Sequence, residues 1–183
     1  MTTQLGSYLA EAGRPADAIA LLEPLTASSP ADPEAVNALG IAYARAGRAD
    51  RSEAAFRRVL NEHPGDVRAL ENIGTLELER GNLTGARQVL EEAAAADPKS
   101  ARAHNGLGVV AMRMGRADEA FVHWKRALEL APKDYDALFN LATELEAAGR
   151  RDEARPLLER FVREAPPAQY AADIAKIRKR LSS

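Results

Sequence analysis

The residues best suited to chemistry gather in GRADEAFVHWKRALELAP, Gly115 to Pro132. This stretch holds His123, the only tryptophan, Trp124, and the carboxylates Asp118, Glu119 and Glu129. A histidine beside carboxylates can act as a general base or a metal ligand. The remaining histidines, His63 and His104, lie elsewhere in the chain. A zinc site needs at least three converging ligands, and no histidine pair has the i, i+4 spacing of a helical chelate. No cysteine is present, which excludes disulfides, thiolate metal sites and cysteine nucleophiles. No Gly-x-Ser-x-Gly elbow occurs. The glycine pairs of GNLTGARQ and NGLGVV match neither a phosphate-binding nor a dinucleotide-binding fingerprint. The expectation is therefore no catalytic residue, no metal and no cofactor.

The elements that carry these residues follow from composition. Aromatics are 5% of the 183 residues and β-branched residues are sparse, while alanine, leucine, arginine and glutamate dominate. That mixture favours helix over strand and predicts an all-α protein. The 25 basic and 27 acidic residues are interspersed and leave a net charge of −2. Such a surface has no long-range field to gather nucleic acid or an anionic membrane, so neither is expected as a partner. The first thirty residues lack a basic segment followed by an apolar one, and no apolar run approaches the roughly 20 residues a bilayer span needs. Cytoplasm is the default location, with the periplasm left open by the missing cysteines.

Glycine and proline repeat with one spacing. Gly13, Gly47, Gly81, Gly115 and Gly149 are each 34 residues apart, as are Pro30, Pro64, Pro98, Pro132 and Pro166. Further columns share the period: Leu5, Leu39, Ile73, Leu107 and Leu141, each followed by Gly6, Gly40, Gly74, Gly108 or Ala142. Ala18, Ser52, Ala86, Ala120 and Ala154 form another, and four residues later come Leu22, Phe56, Leu90, Trp124 and Leu158. The glycine fits a turn that needs φ > 0 between a first and a second helix. The small residues let those helices approach, and the proline stops the second helix. Trp124 is thus expected in the core, His104 at the seam, His123 facing away from the seam and His63 in an inter-repeat turn.

This pattern resembles the tetratricopeptide repeat over nearly the whole chain. The resemblance implies a right-handed superhelical solenoid of five two-helix repeats, 1–32, 33–66, 67–100, 101–134 and 135–168. The segment 169–183 carries Tyr170, Ile174, Ile177 and Leu181 on one stripe and charge on the other face, as a capping helix requires. In the family, the first helix of each repeat lines a concave groove. The implied groove residues are Asn37, Ile41 and Arg45 from the second repeat, and Glu71, Asn72 and Thr75 from the third. The fourth contributes Arg102, Asn105, Val109, Met112 and Arg113, and the fifth Phe139, Asn140 and Thr143. Asparagine amides both donate and accept, so they suit the backbone of an extended peptide. The family's two-carboxylate clamp for chaperone tails would need cations and asparagines where this chain has Asn37, Ile41, Asn72, Arg102 and Gly106. Only Asn72 and Arg102 agree, so that ligand is not expected.

The functional expectation is a non-enzymatic scaffold that binds a peptide or protein segment in the groove. Two other readings stand beside it. One is an accessory module of a larger multidomain bacterial protein, such as a sulfatase-like hydrolase, suggested by the alanine- and arginine-rich composition and the APPAQYAADIAKIRKRL ending. The other is weak self-association through the first repeat, which no polar cap precedes.

Overall fold

The computed structural model describes residues 1–27 and 32–182; Pro30, one of the periodic prolines, lies outside the described residues. Eleven α-helices and one 3-10 turn, Pro24–Thr26, make up the regular structure of the described residues, with no strand among them. No helix among them is long and apolar enough to cross a membrane.

The chain forms two compact units, Met1–Pro98 and Lys99–Ser183. In the first, α1 (Thr2–Glu11), α3 (Pro33–Arg45) and α5 (Val67–Glu79) alternate with α2 (Pro15–Leu22), α4 (Ala49–Glu62) and α6 (Leu83–Ala96). The second contains α7 (Ala101–Arg113), α8 (Ala117–Leu130), α9 (Tyr135–Ala147), α10 (Arg151–Glu164) and α11 (Pro167–Leu181). Helices pair as hairpins, α1 with α2 and so on to α9 with α10. Within each unit the first helices of successive hairpins touch, α1 with α3, α3 with α5 and α7 with α9, whereas the described second helices do not touch one another. The layer of first helices is therefore the closer-packed one in each unit.

Periodic residues set these elements. Asp32, Asp66, Ser100 and Asp134 cap the starts of α3, α5, α7 and α9, each accepting a backbone N–H of the first turn. Between paired helices the five predicted glycines have φ of 71 to 78°, the left-handed region that turns the chain from one helix into the next. In the first four hairpins the glycine of the first helix lies under the large residue of the second. A Cβ placed on Gly40 would sit 2.8 Å from Phe56 Cδ1, and one on Gly108 2.6 Å from Trp124 Cδ1. Trp124 is fully enclosed, as its column predicts.

The second unit holds one contiguous core running from Ala111 on α7 through Trp124, Leu141 and Phe161 to Ile174 and Ile177 on α11. Ile174 and Ile177 turn inward while Arg178, Lys179 and Arg180 stay exposed, so α11 closes that core with a charged outer surface. Tyr170 kinks α11 (φ −117°, ψ 21°), stacks edge-on to Phe161 and donates to Asp136 Oδ1 at 2.7 Å.

Candidate binding surface

In the first unit the predicted groove residues divide sharply by exposure. Asn37, on α3, is only 4% exposed and its Nδ2 donates to Asp66 Oδ1 at 3.1 Å. The same carboxylate oxygen accepts the Ala69 N–H at 2.8 Å, so Asn37 ties the body of α3 to the start of α5. Glu71 and Asn72 are also buried. Ile41 is half-buried between the two apolar clusters of the unit. Thr75 is exposed, and its hydroxyl donates back to the Glu71 carbonyl at 3.0 Å. Arg45 is exposed in the last turn of α3, where the helix dipole favours a cation.

The second unit keeps more of its predicted set accessible. Asn105, Val109 and Met112 on α7, and Phe139, Asn140 and Thr143 on α9, are all half-buried. Val109, Met112 and Phe139 rest on the unit's core, and the Phe139 ring centroid lies 5.3 Å from that of Phe161. Thr143 donates to the Phe139 and Asn140 carbonyls at 2.8 and 3.2 Å. Arg102 and Arg113 are exposed at the two ends of α7. Arg113 repeats the place of Arg45 two periods earlier. The half-buried apolar side chains Val109, Met112 and Phe139 are thus carried by α7 and α9, which also carry Asn105 and Asn140, with Arg102 and Arg113 at the two ends of α7.

The histidines divide differently from the sequence expectation. His63 ends α4 in the exposed turn, as predicted. His123 does not turn away from the seam: its ring meets that of His104 across the α7–α8 hairpin.

Charge at the edge of this surface is partly satisfied internally. Glu146, one turn beyond Thr143 on α9, pairs with Arg180 of the capping helix. Asp134, the cap of α9, has its carboxyl pushed up, chiefly by burial and opposed by the Ala137 N–H it accepts. The Tyr170 phenol is held well above its usual range, first by burial and then by its hydrogen bond to Asp136. Among the described residues no group of three or more histidine, aspartate or glutamate side chains is placed to hold a metal ion.

Two-helix units with a capped first helix, a left-handed glycine and a closely packed seam define an all-α helical-repeat protein. The family model described as tetratricopeptide repeat matches residues 3–67 and 71–124, and a second model with that description matches 99–163. The chain belongs to the tetratricopeptide repeat family, whose repeats build protein–protein interaction scaffolds. Among solved structures, TTC0263, a thermophilic tetratricopeptide protein of Thermus thermophilus, shares the fold with a TM-score of 0.83 and 24% identity, over 96% of each chain. PilF of Pseudomonas aeruginosa gives a TM-score of 0.80 at 22% identity, covering 90% of this chain and 75% of its own. A MamA structure, AMB-1, gives 0.61 at 30% identity, over 87% of this chain and 94% of its own. No curated protein sequence matches this chain.

Proposed function

We propose that the protein is a non-enzymatic scaffold of five repeats that holds an extended protein segment on its first helices, with the α7–α9 face as the principal contact. The observation that supports this reading is the strip Val109, Met112 and Phe139, apolar and accessible on a helix face that solvent alone would favour as polar. Asn140 flanks it and offers a donor and an acceptor to a partner's backbone, while Asn105, whose Oδ1 is buried, has only its amide N–H group to offer. Arg113 and Arg102 orient an acidic side chain or terminus at the ends of the strip. In the first unit Ile41, Thr75 and Arg45 offer the same kind of surface, while Asn37, Glu71 and Asn72 support it from beneath. The test is capture of partners on immobilised protein, comparing wild type with Val109→Lys, Met112→Lys and Asn140→Ala. A direct partner should be lost or weakened at least tenfold in the lysine variants, with helical content unchanged. Equal capture by all variants would remove the α7–α9 face from the account.

Self-association is a second reading, favoured by α1. Leu5 is 51% and Tyr8 66% exposed, whereas Leu39 and Ile73, in the Leu5 column, are 7% and 6% exposed. The α1 face thus presents apolar side chains of the kind that the other hairpins of its unit bury. Light scattering across a concentration series should show mass rising with concentration, and Leu5→Lys with Tyr8→Lys should abolish the rise. A constant monomer mass for the wild type would dismiss this reading.

A further inference from the structure

We propose that the basic helix α11 of one molecule docks on the open face of α1 of another, so that the protein associates head to tail. The proposal rests on the self-association reading and names the second surface of that contact. With about 100° of turn per residue, α1 places Gln4, Leu5, Tyr8, Glu11 and Ala12 on one face, and all five are exposed. Leu5 and Tyr8 make the middle of that face apolar. Glu11 ends it with a carboxylate that has no ion-pair partner among the described residues. The face thus offers a large aliphatic group, a phenol ring and a negative charge in a row.

The outer face of α11 is complementary in shape and charge. Opposite the inward Ile174 and Ile177 stand Ala172, Ala175, Lys176 and Lys179, at the i, i+3, i+4 and i+7 spacing of one helix face and all exposed. The alanines leave room for Leu5 and Tyr8, as the seam glycines do for large side chains inside the hairpins. Lysine stems lie well along apolar surface while their ammonium groups reach outward to a carboxylate such as Glu11. A cation there also meets the exposed face of the Tyr8 ring. Lys176 has no ion-pair partner among the described residues, whereas Arg180 is engaged by Glu146.

Charge selects α11 over a second α1 as the occupant. Residues 1–98 carry 9 basic and 15 acidic side chains, and residues 99–183 carry 16 and 12, so the two units bear net charges of −6 and +4. Four of the five residues from Lys176 to Arg180 are basic. Pairing α1 with its own copy would bring two acidic units together, and α1 has no basic side chain to meet Glu11. Pairing α1 with α11 sets unlike charges against each other, which steers the encounter and fixes which surfaces meet. A helix of ten residues is only about 15 Å long, too short for the roughly 800 Å² per partner of a stable complex. The contact is accordingly weak and reversible. Because it uses different surfaces on the two molecules, it leaves one α1 and one α11 unused, and the same contact can recur.

The experiment uses the full chain in light scattering over a concentration series, at about 0.1 M and about 1 M salt, where the Debye length is about 10 and 3 Å. The mass of the wild type should rise with concentration at the lower salt, and association should weaken at least tenfold at the higher. Two variants at exposed positions follow, Leu5→Gln/Tyr8→Gln on α1 and Lys176→Glu/Lys179→Glu on α11, with circular dichroism as the check on folding. Each alone should stay monomeric over the same range. Mixed in equal amounts they should form a dimer and nothing larger, since the first still supplies α11 and the second α1. Wild-type association by Lys176→Glu/Lys179→Glu would overturn the proposal while leaving self-association through α1 in place. A mixture that stays monomeric, although the wild type associates, would overturn it in the same way. A constant monomer mass for the wild type would remove both the proposal and the reading beneath it.

Discussion

Replacing Gly108 by alanine sets two physical effects against each other. Alanine in a helix interior is favoured over glycine by about 0.8–1.0 kcal/mol, so propensity alone predicts a more stable protein. The new Cβ, however, would stand 2.6 Å from Trp124 Cδ1 and 2.8 Å from Cε2, where carbon atoms normally rest about 3.5–4.0 Å apart. The indole is rigid, fully buried and backed by Phe121, whose ring centroid is 6.5 Å away. It has nowhere to retreat, which places the overpacking cost near the upper end of the usual range, about 3 kcal/mol. The net expectation is a loss of about 2 kcal/mol, or roughly 4–8 °C in thermal midpoint for a chain of this size. Calorimetry together with circular dichroism measures it. Repeat five supplies the control, because Ala142 and Leu158 already stand where Gly108 and Trp124 do. Gly108→Ala combined with Trp124→Leu recreates that pairing and should be no less stable than Trp124→Leu alone, a coupling of about 2–3 kcal/mol across the cycle. A Gly108→Ala protein as stable as wild type, or strict additivity in the double variant, would refute the seam argument.

Other outcomes follow from the same geometry. Gly47→Ala meets no neighbouring atom but must hold φ near 71°, so it should lose about 1–2 kcal/mol by chemical denaturation with no change in packing signals. Burial raises the Asp134 carboxyl, so its contribution to stability is present at low pH and declines as pH rises through its folded value. Asp134→Asn keeps the cap without the charge and should flatten that decline, while Asp134→Ala should cost about 1 kcal/mol at neutral pH. The Tyr170 phenol is likewise raised, so its stabilisation persists below its ordinary value near 10 and is lost only at higher pH. Tyr170→Phe should accordingly remove part of the alkaline fall in stability, seen by urea titration at pH 9 and above.

The seam and the turns are legible in the sequence because their requirements are local and recur. A helix that must approach another needs a small residue at the same place in each hairpin, and a reversal into the next helix needs glycine. Trp124 is assigned to the core by its column alone. The caps are equally periodic, at Asp32, Asp66, Ser100 and Asp134, and comparing those positions is the signal that finds them. What periodicity does not carry is the identity of the groups that reach a given face. Asn37 and Asn105 hold equivalent places two periods apart, yet Asn37 is buried with its amide on Asp66 while Asn105 is half-buried. For His123, preceding a core residue suggests an outward direction. One step along a helix is only about 100° of rotation, and its column of Leu21, Ala55, Val89 and Leu157 places it on the seam's flank, within reach of His104. The pairing of Arg180 with Glu146 is beyond spacing arguments, since the capping helix departs from the 34-residue period.

The single indole of this chain belongs to the second unit, enclosed between α7 and α8. Its emission therefore reports the loosening of that hairpin, whereas backbone ellipticity sums over every helix. An array held together by neighbour contacts need not melt all at once. Fluorescence and ellipticity recorded on one sample thus give two independent clocks, and any gap between their midpoints would reveal which half of the molecule lets go first.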